Sequence, residues 1–101
     1  VIGMPSNQFG SQEPGTNEEI KEFCEVKFNI TFPMTAKSDV KGDRAHEIYK
    51  WAFKNHGKST IPKWNFHKIL INPNGKIEDT FMSFTSPTSK KIINSIEKLI
   101  N

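Results

Sequence analysis

The chain has 101 residues, enough for one small domain with little core to spare, and its 35% hydrophobic content, with eight Phe and two Trp, excludes a disordered segment. Its net charge of +3 comes from fourteen Lys and Arg interleaved with eleven Asp and Glu, without the clustered basic stripe of a nucleic-acid binder, so no nucleic-acid partner is expected. No stretch has the length and apolarity of a membrane span, no signal peptide opens the chain, and a lone Cys excludes a disulfide framework and a multi-thiolate zinc site; a reducing, cytoplasmic compartment is the expectation.

Residues 1–4, Val-Ile-Gly-Met, form a short apolar run halted by Pro5 and read as the end of a buried strand. Residues 6–15 are a turn-rich loop containing Gly10, Pro14 and Gly15, placed at the strand end where open α/β sheets gather ligands and catalytic groups. Thr16 or Asn17 caps a helix predicted over residues 18 to about 27, with Glu18 and Glu19 in the first turn and Ile20, Phe23, Cys24 and Phe28 on its apolar stripe. Asn29 to Pro33 alternates toward a strand, Thr31-Phe32-Pro33-Met34, and residues 39–43 form a turn. A second helix is expected from Arg44 or Ala45 to Lys54, ended by Asn55-His56-Gly57. Residues 66–71 and 76–81 read as two strands joined by the hairpin turn Asn72-Pro73-Asn74-Gly75. Ser86 or Thr88 then opens a last helix, with Ile92, Ile93, Ile96, Leu99 and Ile100 on one face.

The order strand, helix, strand, helix, hairpin, helix matches an α/β thioredoxin-like fold, a central mixed sheet flanked by helices, with one strand–helix unit missing from its front. Residues 1–4 would then present an unpaired apolar edge, and the chain opens on Val1 without an initiator Met; both lead to the expectation of a single domain over residues 1–101 that is truncated at its N-terminus.

Two stretches carry the candidate chemistry: the loop Asn7-Gln8-Phe9-Gly10-Ser11-Gln12-Glu13-Pro14-Gly15 and the tripeptide Trp64-Asn65-Phe66. They supply an indole N–H and two or three carboxamides, neutral donors suited to surround a reactive thiolate or selenolate without competing as nucleophiles. Asn65 shares a side with Trp64 only where the backbone turns or twists between them. Taken singly, Trp64 and Phe66 read as core anchors, Gln12 as a loop surface residue and Asn65 as a turn former.

In order and wording, these stretches resemble the glutathione peroxidase family. The resemblance continues through Glu18-Glu19-Ile20, Phe23-Cys24, Thr31-Phe32-Pro33, Asp39-Val40-Lys41-Gly42, Ile48-Tyr49, Lys68-Ile69-Leu70-Ile71 and Ser86-Pro87, nearly the whole chain. It implies a peroxidase that reduces hydrogen peroxide or organic hydroperoxides with glutathione or thioredoxin as thiol co-substrate, and no other cofactor. Gln12, Trp64 and Asn65 take the positions of the family's catalytic Gln, Trp and Asn. The fourth member, a Cys or selenocysteine, would lie upstream of Val1, so the chain alone would be inactive. An antioxidant role in the response to oxidative stress follows from the same resemblance.

Thioredoxin-dependent members carry a resolving Cys on the first helix, which makes Cys24 a candidate for that role; it falls one residue before the usual place and on the apolar stripe, so a buried structural Cys is the alternative. Ser6 stands where many relatives have Cys, and Met4, Glu47 and Ser83 also depart from the family pattern. The short connection over residues 57–63 lacks the insertion of tetrameric animal members, which implies a monomer. Lys63 and Lys68 flank the tripeptide and would attract an acidic reductant, though only weakly as exposed cations. His46, His56 and His67 lack metal-ligand spacing and are read as surface or turn residues. Two other readings stay open: a non-enzymatic thioredoxin-like binding domain, and a module for acidic ligands or nucleic acid.

Overall fold

The structure is a computed structural model that describes residues 1–10, 15–28 and 30–100. It divides into two compact units, residues 1–47 and 48–101.

The first unit is organised around α1 (Asn17–Phe28). Of the two candidate caps, Thr16 takes the position: its Oγ1 accepts a hydrogen bond from the Glu19 backbone N–H at 3.2 Å, satisfying one of the donors that a helix start leaves unpaired. Asn17 instead turns its Oδ1 to the Lys37 N–H at 2.8 Å, tying the helix start to the segment that follows it. Ile20 and Cys24, one helical turn apart, are buried, whereas Phe23 is 49% exposed. The apolar stripe is therefore narrower than its spacing predicts, with Phe23 on its flank; the Phe28 side chain lies outside the described residues. Phe9 and Val40 are the other buried apolar residues of this unit among the described residues.

The strands predicted over residues 1–4 and 31–34 are reduced to one parallel bridge, Gly3 to Met34. The Gly3 N–H donates to the Pro33 carbonyl and the Thr35 N–H to the Gly3 carbonyl, both at 2.9 Å. Pro33 takes part only as an acceptor because it has no N–H. The expected burial of residues 1–4 is not observed at their start, where Val1 is 93% exposed. Apolarity makes a run suitable for a buried strand, but only neighbouring strands and covering helices bury it.

In the second unit α2 (Glu47–His56) begins later than Arg44 or Ala45. The preceding residues are already engaged: the Ala45 N–H donates to Gly42 O at 3.2 Å and the His46 N–H to Asp39 O at 2.8 Å, which closes a loop where the helix was expected. The helix ends at Gly57, whose φ of 88° suits a residue without Cβ, and the Gly57 N–H caps the Phe53 carbonyl at 2.9 Å. A 3-10 turn (Lys58–Thr60) follows directly.

The hairpin pairs β1 (Lys68–Ile71) with β2 (Ile77–Phe81), antiparallel, from Lys68 opposite Phe81 to Ile71 opposite Ile77, with an irregularity between Leu70 and Ile71. Its loop is a compact device: the Gly75 N–H donates to Asn72 O at 2.9 Å, the Asn72 N–H to Lys76 O at 2.8 Å, and Asn72 Oδ1 accepts from the Asn74 and Lys76 N–H groups, both at 3.0 Å. Gly75 sits at φ 80°, the left-handed position of a three-residue hairpin loop. The last helix, α3 (Lys90–Ile100), is capped by Ser89, whose Oγ accepts from the Ile92 N–H at 3.4 Å; the start moves past Ser86 and Thr88 because Ser86 to Ser89 close a turn of their own. Ile92 is its buried member, while Ile93, Ile96 and Ile100 remain exposed.

The loop geometry gives a direct test. Gly75→Ala forces a Cβ into the left-handed region and is expected to lower unfolding stability by about 1–2 kcal/mol, read as a lower urea midpoint at unchanged slope.

Candidate functional site

The Trp64-Asn65 segment is approached from the 3-10 turn, where Thr60 is fully buried and its Oγ1 donates to Gly57 O at 2.7 Å. Pro62 is buried next along the chain. The backbone then bends at Trp64 and turns at Asn65 and Phe66, so the strand predicted from Phe66 begins two residues later, at Lys68. Phe66 adopts φ 64°, the left-handed region that a bulky residue enters at a cost of about 1–2 kcal/mol. The backbone thus turns directly after Trp64, as the sequence reading required for Asn65 to share a side with it. Trp64 is 48% exposed and Phe66 73% exposed. Neither side chain is a core anchor, the role that each would most often fill if seen alone.

Lys68 does not stand free beside this turn. Its ammonium donates to the Phe66 carbonyl at 2.7 Å, and burial lowers its pKa below the ordinary lysine value. It is thus a staple across the left-handed residue rather than the solvated cation that the sequence suggested; Lys63 is exposed. His67 also departs from expectation. Its Nε2 is the buried side-chain nitrogen or oxygen without a hydrogen-bond partner among the described residues, and its pKa is lowered. Desolvation is the main cause, the positive charges of Lys68 and Lys63 add to it, and a hydrogen bond with the Ser59 backbone opposes it. His46 and His56 are exposed, and among the described residues no group of three or more His, Cys, Asp or Glu is arranged to hold a metal ion.

Gln12 of the loop lies outside the described residues, as do Ser11, Glu13 and Pro14. The flanks of that loop are described, and both are tied to residues 37–41. On the N-terminal side, Gln8 Oε1 accepts from the Val40 N–H at 2.7 Å and the Lys41 N–H at 3.1 Å, while Gln8 Nε2 donates to the Lys41 carbonyl at 3.0 Å. Phe9 is buried beside this clamp, with the Lys41 ammonium 4.8 Å from its ring centroid. On the C-terminal side, Lys37 Nζ donates to the Gly15 carbonyl at 2.9 Å. Ser6 is buried, and its Oγ accepts from the Gln8 N–H at 3.3 Å. Of the loop's carboxamides, that of Gln8 therefore serves the backbone of a segment more than thirty residues away. Composition alone does not distinguish this role from that of Gln12, because both are glutamines in one polar loop.

Cys24 is 6% exposed and free of disulfide bonds. A thiol so placed has to be uncovered before it can meet another sulfur.

The Gln8 clamp predicts that Gln8→Ala leaves two backbone N–H groups without their acceptor. Amide hydrogen exchange at Val40 and Lys41 should accelerate, with a stability loss of about 1–2 kcal/mol. Unchanged exchange at both amides would remove the clamp from the account of this loop.

Comparison with known proteins follows the same residues. A family model described as glutathione peroxidase matches residues 1–53, which include the loop and α1. Among relatives, the glutathione peroxidase-like peroxiredoxin 2 of Saccharomyces cerevisiae is 42% identical over 93 residues, covering 88% of this chain and 57% of its own length. The glutathione peroxidase-like peroxiredoxin HYR1 of the same yeast is 39% identical, and the match covers 99% of this chain and 62% of that protein. The hydroperoxy fatty acid reductase gpx1 of Synechocystis is 40% identical, with 99% and 63% covered. The chain thus spans about three fifths of the length of these relatives. The crystal structure of Trgpx in apo form superposes with a TM-score of 0.66 at 38% identity over 96% of this chain and 57% of that one, and the α/β thioredoxin-like fold is shared. From motifs, fold and matched residues together, the chain belongs to the glutathione peroxidase family.

Proposed function

We propose that this chain is part of a thiol peroxidase that reduces hydrogen peroxide or organic hydroperoxides, with Gln12, Trp64 and Asn65 as the neutral donors around its reactive centre. The reading draws support from the family, from the names of relatives that include a hydroperoxy fatty acid reductase, and above all from the Trp64-Asn65 turn. An indole and a carboxamide on a strained turn, with the indole half exposed, are disposed for a task other than filling the core.

The chemistry needs a thiolate or selenolate, which in the whole protein would come from a residue preceding Val1. That anion attacks one peroxide oxygen, the O–O bond breaks, and the other oxygen leaves as hydroxide or alkoxide and takes a proton. The chalcogen is left as a sulfenic or selenenic acid, two electrons more oxidised. Glutathione or thioredoxin then supplies two thiols: the first displaces water from the oxidised chalcogen and the second releases it, giving a disulfide and the resting anion. N–H donors held in place before the reaction favour the anion at rest and the oxyanion that departs, without being consumed. Cys24 enters this cycle only if α1 opens enough to expose it, forming a disulfide with the oxidised centre ahead of thioredoxin. The enzyme is proposed to act as a monomer, with no cofactor beyond its thiol reductant.

In the complete protein, Trp64→Phe keeps most of the ring and removes the donor. Peroxide reduction should slow at least tenfold while stability changes by less than about 1 kcal/mol. Parallel loss of rate and stability would assign Trp64 to packing, and an active protein indifferent to the change would remove it from the site. For Cys24, one equivalent of peroxide followed by peptide mass mapping should reveal a Cys24 disulfide in a thioredoxin-type cycle; its absence assigns recycling to another thiol.

A further inference from the structure

We propose that Met34 is a site of oxidative modification: a hydroperoxide converts its thioether to the sulfoxide, and the new oxygen parts the bridge between Gly3 and Met34. Position 3 has no side chain, and Met34 takes up the space. A Cβ there would meet Met34 Sδ at 2.8 Å and Phe32 Cε1 at 3.1 Å. Paired residues of neighbouring extended segments put their side chains on one face, and residues two apart share that face, so Phe32 and Met34 converge over Gly3. The sulfur thus rests against backbone that only a glycine leaves open. Met34 is half-buried, and it also lines a cavity of about 340 Å³ at the start of α1, together with Ile20, Lys21 and Thr35, where a small hydroperoxide has room to approach.

The sulfur lone pair attacks one peroxide oxygen and the O–O bond breaks. The transferred oxygen passes its proton to the departing hydroxide or alkoxide, which leaves as water or alcohol; the sulfur is oxidised by two electrons and the peroxide reduced by two. A sulfoxide is larger than the thioether, polar, and in need of a hydrogen-bond donor. Against Gly3 it finds neither room nor a free donor, because the Gly3 N–H is already given to the Pro33 carbonyl at 2.9 Å. The side chain therefore turns out toward solvent, and the bridge loses its apolar cover. Little else holds the two segments in register: the Thr35 N–H on the Gly3 carbonyl and the Ser38 N–H on the Pro5 carbonyl, both at 2.9 Å, are the other backbone bonds between residues 1–5 and 33–38 among the described residues. The segment so loosened is the one whose Lys37, Val40 and Lys41 engage Gly15 and Gln8 at the flanks of the loop.

The step needs a hydroperoxide but not the donors Gln12, Trp64 and Asn65, so it stands or falls apart from the function proposed above. The isotopically labelled chain, free of thiol reductant, is exposed to hydrogen peroxide; peptide mass mapping reads the oxidation of Met4, Met34 and Met82, and NMR reads amide exchange at Gly3 and Thr35. Met34 should gain an oxygen, and exchange at both amides should rise about tenfold or more, while the Asn72 and Gly75 amides of the hairpin loop keep their rates. Met34→Leu keeps the apolar volume and offers no sulfur, so the same treatment should leave Gly3 and Thr35 unchanged although Met4 and Met82 are still oxidised. Methionine sulfoxide reductases should restore slow exchange in the chain that retains Met34, a measurement that decides the matter if the variant fails to fold. The proposal is overturned if Met34 stays a thioether while Met82, 41% exposed, is converted, or if its sulfoxide forms without faster exchange at Gly3 and Thr35. It is overturned equally if the hairpin amides accelerate with them, if Met34→Leu shows the same acceleration, or if reduction of the sulfoxide leaves exchange fast.

Discussion

A left-handed phenylalanine is the constraint on which the presentation of Trp64 and Asn65 depends. Had Phe66 kept an extended backbone, β1 would begin two residues earlier, and successive side chains at 64, 65 and 66 would alternate across the strand. The turn breaks that alternation. The Lys68 ammonium, on the far side of the turn, donates to the Phe66 carbonyl at 2.7 Å and ties the left-handed residue to the start of β1.

A comparable division of labour holds in the first unit. The loop that contains Gln12 has both flanks tied to residues 37–41, through the Gln8 clamp on one side and Lys37 on the Gly15 carbonyl on the other. The Gln8 bonds use main-chain groups of a segment without regular secondary structure, groups that would otherwise need water or another partner. Buried Phe9 and Val40 lie at the same junction, where apolar burial and backbone satisfaction reinforce each other. In the first unit it is the described flanks of the loop, Gln8 and Gly15, that are held in this way.

Features governed by short-range physics were legible in the chain. The Asn72 to Gly75 loop could be read because an Asn side chain bonds the next few N–H groups and a Gly accepts the left-handed position, both within five residues. The existence of all three helices followed from caps and apolar spacing, although their starts shifted wherever a preceding turn had already claimed the backbone, as at Ala45 and Ser89. The strands at residues 1–4 and 31–34 were overestimated for the opposite reason: an extended apolar run signals what a segment could pair with, and the pairing found is a single bridge. For the candidate site, Trp64 and Asn65 could be picked out as a motif, whereas the role of Gln8 could not, since a loop Gln does not announce a partner 32 residues away.

What the amino-acid order determined by itself was the family and the succession of helices and hairpin, because each is written in residue type and local spacing. Tertiary structure alone decided that the Gln8 carboxamide is engaged by the backbone, that His67 Nε2 is buried without a hydrogen-bond partner among the described residues, and that Phe66 turns left-handed. Those outcomes depend on contacts between segments distant along the chain and on the free energy of desolvating polar groups, neither of which is set by a residue's nearest neighbours.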